Sequence, residues 1–319
     1  MIDFLAPEFK PAFWLPNEHL QTIFAALVMP IPIPEYRREL INTPDGDIIA
    51  ADWVDGKADK PLLVLIHGME GDSQSRYARL IMNQCKHLGW TGVVLHMRSC
   101  GGLLNRLPTF YHAGFYQDIA YFLDEFLPRK SLIKNTYLVG ISLGGSQAAH
   151  YLSTTPASDS VKAAMIISTP LDLKASADFM NSGLNRIYVL QFRNSLLKKY
   201  LAKTESIPDK TIVERLAASQ SFWDLDNAAT APMHGFKDAE HYYAEMSAKT
   251  CWQNINVPTL YLASRDDPFI PVDSMPSNTE GAGNPRCILT DRGGHVGFVN
   301  NSGKSWMTQT IFKYLLSFE

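Results

Sequence analysis

Only four cysteines occur in the 319 residues, Cys85, Cys100, Cys251 and Cys287, and no two form a CxxC pair. That excludes a disulfide framework and points to a reducing compartment. Charge is also scarce: 19% of residues are charged, with 29 Lys and Arg against 32 Asp and Glu, a formal net charge of −3. With no basic block, neither nucleic acid nor a polybasic membrane patch is an expected partner; a small molecule is. The N-terminus has no cationic stretch, its first charge being Asp3, and the apolar run at 20–29 is too short to span a bilayer. An export signal and a transmembrane anchor are therefore not expected, and a cytoplasmic location is. The longer uncharged run at 135–158 contains three glycines, Gln147 and His150, and reads as a buried strand, a turn and a helix.

What is present is a compact globular composition, 46% hydrophobic with 20 glycines and 19 prolines, unlike disordered or collagen-like chains. The length suits two domains, or one large α/β unit with an insertion. Residues 1–35 alternate aromatic and proline-rich stretches around a short helix at 17–27, N-capped by Asn17, and are expected to wrap the domain. RRELIN and DIIAADWV flank the turn signal Thr43-Pro44-Asp45-Gly46 and predict a β-hairpin over 37–54.

Beyond it, short apolar runs alternate with helical periods. PLLVLIHG precedes a helix near 76–88, TGVVLHMR one near 115–126, and NTYLVGIS one from about 145 to 152, before AAMIIST. Strands apolar on both faces, separated by helices, predict a mostly parallel sheet covered by helices, with ligands at the carboxyl ends of the strands. Between 171 and 250 the pattern turns helical and aromatic, with a basic pair at Lys198-Lys199, and reads as an inserted helical cap. PTLYLAS and CILTD resume the sheet, and a helix over about 303–316 closes the chain. The expected domains are a core at 1–170, a cap at 171–250 and the rest of the core at 251–319.

The strongest chemical signal is Gly140-Ile141-Ser142-Leu143-Gly144, a G-x-S-x-G between an apolar strand and a helix. A serine on such a sharp turn presents its hydroxyl above the sheet, and small neighbours let strand and helix approach each other. Serine needs a base and an orienting acid to act as a nucleophile. His295, in the loop RGGHVG after the last strand, is the expected base; Ser264-Arg265-Asp266-Asp267-Pro268, after PTLYLAS, offers the acid. Adjacent residues on an extended chain point in opposite directions, and Pro268 holds Asp267 extended, which favours Asp267 over a backbone-bonding Asp266. Asp172 is a reserve acid or a helix start. A tetrahedral intermediate needs N–H donors: Leu143 supplies one, and Met69, in His67-Gly68-Met69-Glu70-Gly71, is expected to supply the other. His67 is read as a brace for that loop, and Cys100 as packing. His112, His234 and Asp238 are read as cap-to-core hydrogen-bonding residues. Gly303-Lys304-Ser305 lacks the earlier glycine of a phosphate loop, Phe298 standing in its place. No H-x-x-x-H or Cys/His cluster supports a metal, and no cofactor is expected.

These motifs, with NEHLQT, TPDGD, HGMEGDSQSRYA, GWTGVVLHMRSCGG, NRLPTFYHAG, FWDLDNAATAPMHGFKDAEHYY, SRDDPFIP and GGHVGF, resemble the YheT-like branch of the α/β-hydrolase superfamily, AB hydrolase family four, over most of the chain. The resemblance implies an α/β-hydrolase fold and a serine esterase. Its aspartate four residues before a proline, here Asp267 before Pro271, also selects Asp267. Eukaryotic relatives include medium-chain acyl-ester hydrolases that also transfer acyl groups to alcohols, and phospholipases that carry an N-terminal membrane anchor. The expected activity is hydrolysis of short- to medium-chain carboxylic esters. Acyl transfer to an alcohol and a non-catalytic ligand-binding role are the alternatives, and oligomeric state is left open.

Overall fold

The computed structural model describes residues 4–130, 135–154, 161–207, 209–277 and 285–319; the end of the uncharged run, at 155–158, lies outside the described residues. Eight strands form one sheet: β1 Arg37–Asn42, β2 Ile48–Val54, β3 Leu62–Ile66, β4 Thr91–Leu95, β5 Thr136–Ile141, β6 Val161–Ile167, β7 Thr259–Ser264 and β8 Arg286–Thr290. Their order is β1-β2-β4-β3-β5-β6-β7-β8. β1 and β2 are the hairpin and run antiparallel, as do β2 and β4; every later neighbour is parallel.

From β2 to β7 both faces of the sheet are buried, which is why these strands read as largely apolar runs. Along β3, Leu62, Val64 and Ile66 pack on one face, while Leu63 and Leu65 pack on the other against Ala78, Ile81 and Met82 of helix α2, Arg76–Leu88. Truncating a side chain buried to this degree to alanine costs about 2–5 kcal/mol. The N-terminal helix is Glu18–Ile23, α1, with the Asn17 carboxamide accepting from Leu20 N–H; one wider π turn carries it on to Val28. Helix α3, Gln117–Ala120, starts two residues later than its apolar period suggests and continues as a π turn through Phe126. Residues ahead of α1 do wrap the core, Ala12 N–H bonding to Val299 C=O and Trp306 Nε1 donating to Pro7 C=O.

Helix α4, Leu143–Thr154, begins immediately after Ser142. Between β6 and β7 the chain is helical: α5 Leu173–Met180, α6 Arg186–Ala202, α7 Thr211–Ala218, α8 Phe222–Leu225 and α9 Ala239–Met246 are its main pieces. The last helix, α10, is Trp306–Leu316, later than the pattern from 303 suggests. Asn300 holds 302–304 in a turn by accepting from the Ser302 and Lys304 N–H groups, and Ser305 then caps the helix through Thr308 N–H. Among the described residues no helix is long and apolar enough to cross a membrane.

Candidate active site

Three strand ends define the site: Ser142 follows β5, Asp267 follows β7 and His295 follows β8. Ser142 sits at φ +53°, a left-handed conformation that few side-chain-bearing residues adopt, and its N–H bonds to Ile167 C=O at 2.8 Å. The turn closes because its neighbours lack Cβ atoms. A Cβ on Gly140 would lie 2.6 Å from Gly145 Cα, and one on Gly144 would lie 2.3 Å from His67 C=O. That places the Ser142 hydroxyl 3.0 Å from His295 Nε2. On the other side of the ring, Nδ1 lies 2.9 and 3.1 Å from the two Asp267 oxygens. A carboxylate only accepts, so Nδ1 carries the hydrogen and Nε2 is left to accept from serine. Asp267 is 2% exposed and also accepts Phe269 N–H at 2.8 Å, while the Phe269 ring stacks on the imidazole at 4.1 Å.

Asp266 turns away from the imidazole and accepts Gly294 N–H at 2.9 Å. Burial raises its carboxyl pKa, and the Gly294 bond offsets part of that rise. Asp172 caps α5 by accepting Ala175 N–H and pairs with Lys249 at 2.5 Å, while the carboxylate on His295 Nδ1 is that of Asp267. Met69 and Leu143 both border the cavity in front of Ser142, and neither N–H donates to an acceptor among the described residues. His67 is fully buried, Nδ1 bonding to Gly68 C=O at 2.7 Å and Nε2 accepting Met97 N–H at 3.0 Å; burial pushes its pKa down to about 3. It is a neutral brace under the Met69 loop. Burial pushes the Cys100 thiol up to about 12, which leaves it protonated.

The three cap-to-core expectations need correction: His112 Nδ1 accepts Gly114 N–H at 3.2 Å, within its own loop. Asp238 is the N-cap of α9, its carboxylate accepting His241 N–H, so it serves its own helix. His234 meets His112 ring to ring at 4.6 Å and is not joined to it by a hydrogen bond; burial lowers both imidazoles, to about 4 and about 3. Among the described residues no group of three His, Cys, Asp or Glu is arranged to hold a metal ion.

Two sets of residues around the site are not legible in the sequence. Thr22 Oγ accepts His295 N–H at 2.9 Å, and the Gln21 side chain pairs with both the N–H and C=O of Val299, so α1 clamps the histidine loop. The motif NEHLQT is the available signal, though nothing in it names a partner so far along the chain. Glu70, at φ +57°, accepts from Tyr111 OH and Lys199 Nζ, both at 2.6 Å, and from the Ser195 hydroxyl. Burial works against the Lys199 ammonium, but the Glu70 carboxylate, with a bond to the Cys100 sulfur, more than offsets it and holds its pKa above the ordinary lysine value. Lys199 is therefore half of a buried pair, whereas Lys198 is exposed.

Two cavities meet at Ser142 and His295, which line both. One, of about 110 Å³, runs under α5, α8 and α9 and is walled mainly by apolar groups such as Leu173, Met180 and Phe222. The other, of about 480 Å³, lies between α1 and α6 and is bordered by Ile23, Leu27, Tyr188 and Ser195. A hydroxyl bonded to an imidazole that is itself bonded to a carboxylate, where two cavities meet, can pass an acyl group to a second nucleophile.

Residues 61–302 match the model of the alpha/beta hydrolase fold family. The Escherichia coli (strain K12) protein named "Putative esterase YheT" is 32% identical over 98% of this chain and 94% of its own length. "Monoacylglycerol lipase" of Saccharomyces cerevisiae is 31% identical over 88% of this chain and 64% of its own. Among solved structures, the Pyrococcus furiosus esterase Pf2001 superposes with a TM-score of 0.56 at 14% identity, covering 100% of this chain and 99% of that one, a likeness of fold. The chain belongs to the α/β-hydrolase family, in the branch of the YheT protein, and is a hydrolase.

Proposed function

We propose that the protein is a serine esterase that cleaves short- to medium-chain acyl esters through an acyl-enzyme. Ser142 Oγ attacks the acyl carbonyl while His295 Nε2 takes its proton; Asp267 holds the imidazole and stabilises the imidazolium that forms. The Met69 and Leu143 N–H groups receive the developing oxyanion. His295 then gives its proton to the leaving alcohol, and water, activated by the same imidazole, releases the acid. The observation that carries this reading is the continuous line of hydrogen bonds from Ser142 through His295 to Asp267, at 3.0 and 2.9 Å.

Residues 171–250 act as a cap over the acyl group, a role supported by the apolar wall that they give the smaller cavity. The larger cavity suits the leaving alcohol, and its size equally favours an alcohol that replaces water, so acyl transfer is the second reading. A reducing, cytoplasmic setting is supported by the free thiols of Cys85, Cys100 and Cys251. The test is Ser142→Ala against p-nitrophenyl esters and a fluorophosphonate probe. Both hydrolysis and labelling are expected to vanish while the circular dichroism spectrum stays native, and a variant that is still labelled removes Ser142 as the nucleophile. Product analysis with added alcohol separates transfer from hydrolysis.

A further inference from the structure

The cavity assigned above to the acyl group is apolar along much of its wall, yet polar side chains interrupt it, Ser176 and Asp226 among them. Ser176, on α5, is 8% exposed, and its Oγ is buried without a hydrogen-bond partner. Buried hydroxyls are nearly always paired, so an orphan on a cavity wall calls for an explanation. Asp226, just after α8, lines the same cavity. Its Oδ2 accepts Tyr243 OH at 2.6 Å. Burial pushes its carboxyl up to about 6, the Thr230 and Tyr243 hydroxyls work against that rise, and no lysine or arginine is among the groups that act on it. A pocket meant only for hydrocarbon has no use for either group, since each loses water on filling and gains nothing from an alkyl chain.

We propose that this cavity is a subsite for an acyl group that carries a hydroxyl, held between Ser176 and Asp226; the proposal rests on the serine-esterase reading of the same site. The choice of hydroxyl follows from donor and acceptor inventories. A hydroxyl donates to the Asp226 carboxyl and at the same time accepts from the Ser176 hydroxyl, which needs only to turn about its own side-chain bond. An ammonium donates to both but leaves the Ser176 hydrogen without an acceptor. A substrate carboxylate only accepts and meets the charge of Asp226. An alkyl chain leaves Ser176 as it is. The remaining wall, Leu173, Ala177, Met180 and Phe222, packs the carbon chain leading to that hydroxyl. The substrate class is therefore hydroxyalkanoate esters.

The test compares kcat/KM for ethyl esters of four- to eight-carbon acids, with a hydroxyl walked from C3 to the chain end, against the unsubstituted ester of each length and an ω-amino series. At one position the hydroxy ester is expected to exceed its unsubstituted counterpart by about ten-fold or more, the scale of a hydrogen bond to a group otherwise left unpaired. Ser176→Ala and Asp226→Asn are each expected to bring that ratio toward one; because the ratio is taken within one variant, loss of folded protein cancels. A ratio of one or less at every position overturns the proposal, as does a ratio that neither variant lowers, or an amino ester that outruns every hydroxy ester. If plain esters are cleaved and Ser142 is labelled while no hydroxyl preference exists, this proposal alone falls. If no ester is cleaved and Ser142 resists the fluorophosphonate, the esterase reading falls and takes this one with it.

Discussion

The Glu70 carboxylate meets the Lys199 ammonium at 2.6 Å, fastening the loop that carries Met69 to helix α6. The pair is largely shielded, with side-chain exposures of 6% and 17%, and Ser195 reaches the same carboxylate from one turn earlier on α6. Removing one member of a buried pair leaves the other charge stranded, which typically costs about 3–5 kcal/mol. Lys199→Met is therefore expected to lower stability on that scale in urea unfolding. Because Glu70 adjoins Met69, kcat should also fall by about ten-fold with little change in KM. Lys199→Arg should recover part of both. A Lys199→Met enzyme with unchanged kcat would show that the latch serves the fold alone.

Thr22 supports the imidazole from the other side by accepting His295 N–H. Thr22→Val keeps the shape and removes the acceptor, so kcat is expected to fall about ten-fold while the melting temperature changes by only a few degrees. Thr22→Ser should restore the rate. Loss of activity in both variants would point to packing of the methyl group as the cause.

The serine turn makes a steric prediction with an internal control. Gly144→Ala would place a Cβ 2.3 Å from His67 C=O and 2.5 Å from Ile66 C=O, backbone atoms that cannot yield. Little soluble protein, or activity reduced by two orders of magnitude or more, is expected. Gly102 has φ +80°, and a Cβ added there would meet nothing within 4 Å. Gly102→Ala therefore meets only the backbone cost of a left-handed residue, about 1–2 kcal/mol. Equal tolerance of the two substitutions in expression and kinetic assays would refute the steric account of the motif.

The sheet is legible in the sequence because strands buried on both faces spell uninterrupted apolar runs, and α2 because its helical period agrees with Arg76–Leu88. Ser142 is legible because a tight turn demands small residues beside it in sequence. What stays hidden is pairing between distant segments: Thr22 with His295, 273 residues apart, and Glu70 with Lys199, 129 apart. Lys198 and Lys199 read as one basic cluster, but successive helical residues point about 100° apart, so one faces water and the other the core. The start of α10 escapes the sequence pattern because Asn300 organises the preceding turn by a side-chain bond that mimics helix spacing.

Neighbouring aspartates offer a sharper test of the acid. Asp267 contacts His295 Nδ1 with both oxygens, whereas Asp266 bonds to Gly294 N–H. Asp267→Asn should lower turnover by up to about 10⁴, the scale for neutralising a triad aspartate. Asp266→Asn keeps an acceptor for Gly294 and should cost far less. Steady-state kinetics on both variants decide this: equal losses, or a larger loss at Asp266, remove Asp267 from the role.

Buried histidines set how the fold answers acid. Burial lowers His67 and His112 to about 3 and His234 to about 4, against about 6.5 in an unfolded chain. Below pH 6.5 the unfolded chain takes up protons that the folded protein refuses. Their stabilising contribution is thus complete above about 6.5 and is lost as pH falls toward 4. Asp226 acts in the opposite sense, since its carboxyl, pushed up to about 6, binds a proton in the folded state first. Comparing a variant with the parent removes that contribution from the measurement. His234→Phe keeps a ring against His112 and Phe115 and eliminates one of the three sites. Urea unfolding between pH 6.5 and 4.5 should show the parent losing stability more steeply than His234→Phe, by about 1 kcal/mol per pH unit and most steeply near pH 5. Parallel slopes would mean that His234 takes up its proton alike in the folded and unfolded chain.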